Sequence, residues 1–233
     1  MKLPKYIANL GYGSRREVEA LFARSRVTLR DGSPLQTGDT AAHEDILIDG
    51  QPLDPPPGVV VMLNKPIGYV CSTQDRGATV YDLLPPRFSR RSPIIAPVGR
   101  LDRDTSGLLL MTDDGQLNHR ITSPRRHVTK VYEAELAEPL CGAEAELFAS
   151  GTLQLKGEDD SLAPAWLHVL SPTRVRLGVS EGRYHQVRRM FAAVGNHVLS
   201  LSRVAVGGLT LDGLETGRWR VLKEDEIGKI LPD

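Results

Sequence analysis

The residues with the greatest capacity for chemistry lie in one short stretch, Gly99-Arg100-Leu101-Asp102-Arg103-Asp104-Thr105-Ser106-Gly107. It sets carboxylates, guanidiniums and hydroxyls between two apolar runs that read as strands, and loops between strands are where proteins display polar functional groups. A carboxylate in such a loop can serve as a nucleophile or as a base. Composition alone favours a plainer reading, a tight connection in which Asp104, Thr105 and Ser106 bond to their own backbone. Asp102 and Asp104 could also be paired for glycoside hydrolysis. That reaction needs carboxylates on opposite sides of the bond, so two from one loop suit it poorly. His119 and His127 are eight apart and His185 and His197 twelve, which is no metal-ligand spacing. All six histidines are expected to be structural, and no metal is expected.

These residues need elements to position them. Ile94 to Val98 and Leu108 to Met111 read as the flanking strands, and Val59 to Leu63 as a buried strand followed by the turn Asn64-Lys65-Pro66-x-Gly68-Tyr69. Val128 to Leu136 reads as a strand whose period-2 face carries Val128, Lys130, Tyr132, Ala134 and Leu136, so Tyr132 is expected to point inward. Gln116 to Ile121, Glu144 to Phe148 and Tyr184 to Val194 read as helices, and Val198 to Leu211 as one or two closing strands. On the helix from Tyr184, Val187, Met190, Phe191 and Val194 form the apolar face, with His185, Arg188 and Arg189 opposite. Arg188 is thereby left able to point into a cleft. Helices and strands mix without a regular βαβ period, so the fold class is α+β.

Nearer the N-terminus, Ser14-Arg15-Arg16-Glu17 has the form of a capping box for a helix running to about Ser25, with Val18, Leu21 and Phe22 as its buried stripe. Short strands follow, with Asp31-Gly32 and Asp49-Gly50 as turns. Asp54-Pro55-Pro56-Pro57-Gly58 reads as an extended linker, since three prolines remove three backbone donors. Two domains are expected: a small one at 1–57, with the linker at about 54–58, and a larger one at 59–233.

The 233 residues are 40% apolar and 25% charged, which excludes whole-chain disorder. The longest apolar run in the first half is five residues, far below the ~20 that span a bilayer. A basic start with no apolar stretch behind it gives no secretory signal, and two cysteines give no disulfide framework. A cytoplasmic monomer is expected. The 29 basic and 29 acidic side chains sum to a formal charge of zero, which by itself argues against a polyanion partner. The zero is unevenly distributed: residues 1–30 carry +5 and residues 31–60 carry −6. Residues 86–130 hold nine Lys and Arg against four acids, so a basic face around Asp102 is expected.

The segment Gly99-Arg100-Leu101-Asp102-x-x-Thr105-x-Gly107-Leu108 resembles the signature of RNA pseudouridine synthases, in the branch that carries an N-terminal S4 domain. So do Leu63-Asn64-Lys65-Pro66-x-Gly68-Tyr69-Val70, Thr112-Asp113-Asp114-Gly115, Lys130-x-Tyr132 and Glu181-Gly182-x-x-His185-Gln186-Val187-Arg188-Arg189-Met190-Phe191. The N-terminal region is similar to the S4 RNA-binding module through Lys2-Leu3-x-Lys5-Tyr6-Ile7-Ala8, Gly11, Gly13, Ser14-Arg15-Arg16-Glu17 and Arg26-Val27; Pro4 stands where that module usually has Asp. The resemblance implies a small S4-like domain before a mixed, largely antiparallel α+β catalytic domain. It implies an isomerase that turns uridine into pseudouridine, with Asp102 as the essential aspartate, Tyr132 beneath the target base and Arg188 as the cation beside Asp102. Arg100 would fill the space left by the extruded nucleotide, and Arg15 and Arg16 would contact RNA phosphates. Lys65 is either a turn residue or an RNA contact, and contact is the expectation.

No redox change or group donor is needed, so no cofactor is implied. Tyr69-Val70-Cys71-Ser72-Thr73 and residues 118–125 resemble members that act on 16S rRNA, which implies 16S rRNA or a partly assembled small subunit as partner and position 516 as target. A 23S rRNA uridine, or a non-catalytic assembly role resting on the S4-like region alone, are the alternatives.

Overall fold

A computed structural model describes residues 2–73, 75–123 and 126–231. Pro124 and Arg125, which end the 118–125 segment, therefore lie outside the described residues. The N-terminal residues form α1 (Leu3–Ile7), α2 (Arg15–Ala23) and a three-stranded antiparallel sheet of β1 (Val27–Leu29), β2 (Ile46–Ile48) and β3 (Gln51–Pro52). The expected capping box is present: Glu17 N donates to Ser14 Oγ at 3.3 Å, and Ser14 N to Glu17 Oε2 at 2.7 Å. Val18 and Phe22 turn from this helix into a cluster with Ile7, Leu10, Val27 and Ile46, while Arg15 and Arg16 stay exposed.

The rest is built on a nine-stranded sheet. Its strands are β4 (Val60–Lys65), β5 (Ala96–Val98), β6 (Thr105–Thr112), β7 (Lys130–Leu136), β8 (Trp166–Ser171), β9 (Arg174–Val179), β10 (Val198–Val206), β11 (Leu209–Thr210) and β12 (Trp219–Val221). The main path runs β12-β4-β6-β10-β7-β9-β8, and among the described pairs β6–β10 alone is parallel. The helices are α3 (Gly115–Thr122), α4 (Glu144–Ser150), α5 (Gln186–Ala193) and α6 (Glu224–Gly228). The fold is α+β with a largely antiparallel sheet.

β4 and β6 are apolar at nearly every position because both of their faces are covered. Val61, Leu63, Leu109 and Met111 pack with Val80, Phe88 and Ile95, whereas Val60, Met62, Leu108 and Leu110 pack with Ile121, Val128 and Leu222. A third cluster joins Ala134, Val175 and Leu177 of the sheet to Phe148 of α4 and Val187, Met190 and Phe191 of α5. Tyr132 packs against both this cluster and that of Phe88, so it lies at the seam between two cores.

The edge of β6 opposite β4 is shared. β10 pairs with Thr105, Ser106 and Gly107, and β5 pairs with Leu110, Met111 and Thr112. The chain between β5 and β6, residues 99–104, emerges where the sheet forks. Gly107 permits this: its φ is +102°, and a Cβ there would lie 2.2 Å from the Arg203 carbonyl oxygen of β10.

The proline stretch 54–58 is not a free spacer. Arg91, buried, donates to the Pro55 and Pro56 carbonyls and to Asp113 Oδ2 at 2.7 Å, while Asp113 Oδ1 accepts from Gly58 N at 2.8 Å. Arg87 makes a two-point contact with Asp54 at 2.6 and 3.0 Å and lies over the Tyr12 ring. Among the described residues, no helix is long and apolar enough to cross a membrane.

Candidate active site

The loop bearing Asp102 is braced from below by the turn after β4. Lys65 Nζ donates to the carbonyls of Asp102 (3.0 Å), Thr105 (2.8 Å) and Pro66 (3.1 Å). Gly68 N donates to the Arg103 carbonyl at 2.7 Å, and Arg103 Nε donates back to the Gly68 carbonyl at 3.2 Å. Thr105 N closes the loop on the Asp102 carbonyl at 3.1 Å. The Asp102 carbonyl is thereby held by two donors, while the side chain is 35% exposed.

Lys65 is therefore not displayed at the surface, where an RNA contact was expected. Its relative exposure is 0%, and its charge is spent on carbonyls of the loop it supports. Burial lowers its pKa, opposed by Asp102 and Asp104 nearby. The expected self-capping of the loop is also absent. Asp104 pairs with Arg188, Ser106 Oγ reaches only the Leu201 carbonyl at 3.5 Å, and Thr105 Oγ1 has no partner among the described residues. Thr105 and Ser106 belong to β6, which begins three residues earlier than the apolar run suggested.

Asp102 opens into a cavity of about 320 Å³ that Arg100, Thr105 and Tyr132 also line, together with residues 181–187. Arg100 is exposed at its edge. Three expected participants thus meet: Asp102, Tyr132 and Arg100.

Arg188 does not join them. Its guanidinium pairs with Asp104 Oδ2 at 2.9 Å and donates to the Asp104 and Val198 carbonyls, so it is not the cation beside Asp102. The ring that faces the carboxylate is that of His185, whose Nε2 lies 3.4 Å from Asp102 Oδ1. His185 was expected to be structural and helical. Its φ of +50° instead ends the turn before α5, so the helix starts at Gln186 and the ring swings toward Asp102. Tyr184 stacks on His185 with centroids 3.9 Å apart and is 71% exposed, an aromatic face at the cavity mouth. The Gln186–Glu181 and Arg183–Glu158 contacts brace this wall. His185 stands within the motif; the signal missing from the sequence is the left-handed turn.

Arg15 and Arg16 lie on α2, outside this cavity; Arg15 makes an exposed i,i+4 pair with Glu19 at 3.6 Å. Among the described residues, no group of three or more His, Cys, Asp or Glu is placed to hold a metal ion.

A carboxylate on a braced loop, a tyrosine at a core seam and a mixed sheet forked around them define a known class. Residues 59–193 match the RNA pseudouridylate synthase family model. The chain belongs to this family and is an RNA pseudouridine synthase. It is 46% identical over 237 residues to the ribosomal small subunit pseudouridine synthase A of Escherichia coli K12, covering 99% of this chain and all of that one. The protein of the same name from Vibrio cholerae is 39% identical, with 99% of each chain covered. A solved pseudouridylate synthase structure superposes with a TM-score of 0.70 at 38% identity, again over 99% of each chain.

Proposed function

We propose that the protein isomerises one uridine of small-subunit (16S) rRNA, at position 516, in the cytoplasm and as a monomer. The observation that carries this is the held, part-exposed Asp102 in a cavity with Tyr132 and Arg100; the full-length likeness to proteins named for the small subunit supports the substrate. Stacked RNA hides the reacting bonds, so the uridine must be flipped into the cavity. Asp102, as nucleophile or sugar-side base, opens the N1–C1′ bond. The base turns, C5 joins C1′, the C5 proton leaves and N1 gains one. Tyr132 supports the base, Arg100 occupies the vacated stack, and His185 is the near partner of the carboxylate. Arg188 acts at one remove, fixing the loop through Asp104. Mapping pseudouridine in 16S rRNA, naked or in partly assembled subunits, tests the substrate; modification confined to 23S rRNA would overturn it.

Thr105 completes the site. A buried hydroxyl without a partner costs about 1–3 kcal/mol, and we assign that of Thr105, a residue of the cavity wall at 1% exposure, to bond the flipped nucleotide. Thr105→Val should lower kcat/KM about tenfold with the Tm unchanged or raised, and Thr105→Ser should restore activity. A lower Tm with unaltered kcat/KM would show a structural role instead.

Residues 1–57 are assigned as an S4-like RNA-binding domain, with Arg15 and Arg16 on phosphates. Arg15→Ala with Arg16→Ala should weaken RNA binding and reduce its salt slope by about 2, one for each arginine removed. An unchanged slope removes α2 from the interface.

A further inference from the structure

Behind the Asp102 loop lies a second cavity, of about 470 Å³, bounded by Ile67, Leu199, Arg103, Asp104 and Arg188, with Leu201 shared between the two. Its side walls are unusual for a soluble surface: Ile67 is 66% exposed and Leu199 62% exposed. Ile67 comes from the turn that braces the loop, and Leu199 from β10, so the two apolar side chains belong to rigid, separate elements. Arg103 adds an exposed cation; Asp104 and Arg188 neutralise each other at 2.9 Å. The lining therefore combines apolar walls with one net positive charge.

We propose that this cavity takes the nucleotide adjacent to the flipped uridine, its base between Ile67 and Leu199 and its phosphate at Arg103. The assignment rests on the small-subunit reading above for its choice of RNA. Continuity selects a nucleotide over other occupants. Arg103 and Asp104 follow Asp102 directly, at about 3.8 Å per residue, so RNA delivering a base to Asp102 carries its neighbour past this opening. A base on the side that Arg100 does not cover loses its stacking partner on flipping, and an apolar slot offsets that loss. Extruded bases are held between aromatic or apolar side chains, and a cationic groove tracks the backbone of single strands.

The test uses the Ile67→Ala, Leu199→Ala double variant, whose sites are exposed and outside the catalytic group. The substrate is a 16S rRNA segment spanning the target uridine, assembled from synthetic pieces. KM should rise about tenfold, the scale of one base stack, with kcat kept. The same RNA is then made abasic at the 5′ or the 3′ neighbour. On one of these the variant and the unsubstituted enzyme should agree within about twofold. An unchanged KM, or a KM defect that persists undiminished on both abasic RNAs, overturns the subsite. If the unsubstituted enzyme converts nothing in this segment, the same series is run in partly assembled small subunits; conversion confined to 23S rRNA means that the small-subunit reading fails instead, and the series on that rRNA then decides the subsite.

Discussion

Asp102→Asn should abolish pseudouridine formation, lowering the single-turnover rate by at least about 10³-fold, while leaving RNA affinity and Tm close to those of the unsubstituted protein. The geometry dictates this separation. The amide replaces a side chain that is part-exposed and whose neighbour His185 stands 3.4 Å away. The contacts that hold the loop use the Asp102 carbonyl, through Lys65 and Thr105, and survive the substitution. Rates measured by nucleoside digestion and affinity by filter binding check the two halves. Residual activity within about tenfold would mean that another group opens the glycosidic bond.

Arg91→Ala should cost the protein much of its stability. The Arg91 and Asp113 side chains are only 1% and 2% exposed and 2.7 Å apart, and removing one member strands the other charge in the interior at about 3–5 kcal/mol. For a chain of this size that corresponds to a Tm lower by roughly 10 °C. Arg91 also ties the Pro55 and Pro56 carbonyls to the sheet domain, so the N-terminal residues lose their register against it. The Arg91→Ala, Asp113→Ala double variant should lose less than the sum of the single changes, because neither charge is then left alone. Additive losses in thermal unfolding would show that the two residues act independently.

Much of this was legible in the residues. The strands β4 and β6 declared themselves because both faces are covered and the apolar run is unbroken. The helices α2 and α5 showed their buried stripes at helical spacing. The hairpin β8–β9 escaped notice: Arg174, Val175, Arg176 and Leu177 alternate strictly, as befits a strand with one wet face, and so form no apolar run.

That Asp102, Tyr132 and Arg100 share one cavity was readable from motif and strand period. The tasks of Lys65, His185 and Arg188 were not, because each depends on three-dimensional facts. Lys65 turns inward to carbonyls up to 40 positions along the chain. His185 leaves the helix through a left-handed φ, and Arg188 finds Asp104 across 84 residues of sequence. The net charge of zero likewise concealed a division: exposed arginines on α2, and a cavity where Asp102 faces Arg100 and His185.

The most direct measurement of the central claim is hydrogen release from C5. Joining C5 to C1′ expels the C5 hydrogen, so 16S rRNA transcribed with C5-tritiated uridine should release tritium equivalent to one uridine per molecule with the unsubstituted protein, and none with Asp102→Asn. Folded protein that releases no tritium from 16S rRNA, 23S rRNA or partly assembled subunits would contradict the account.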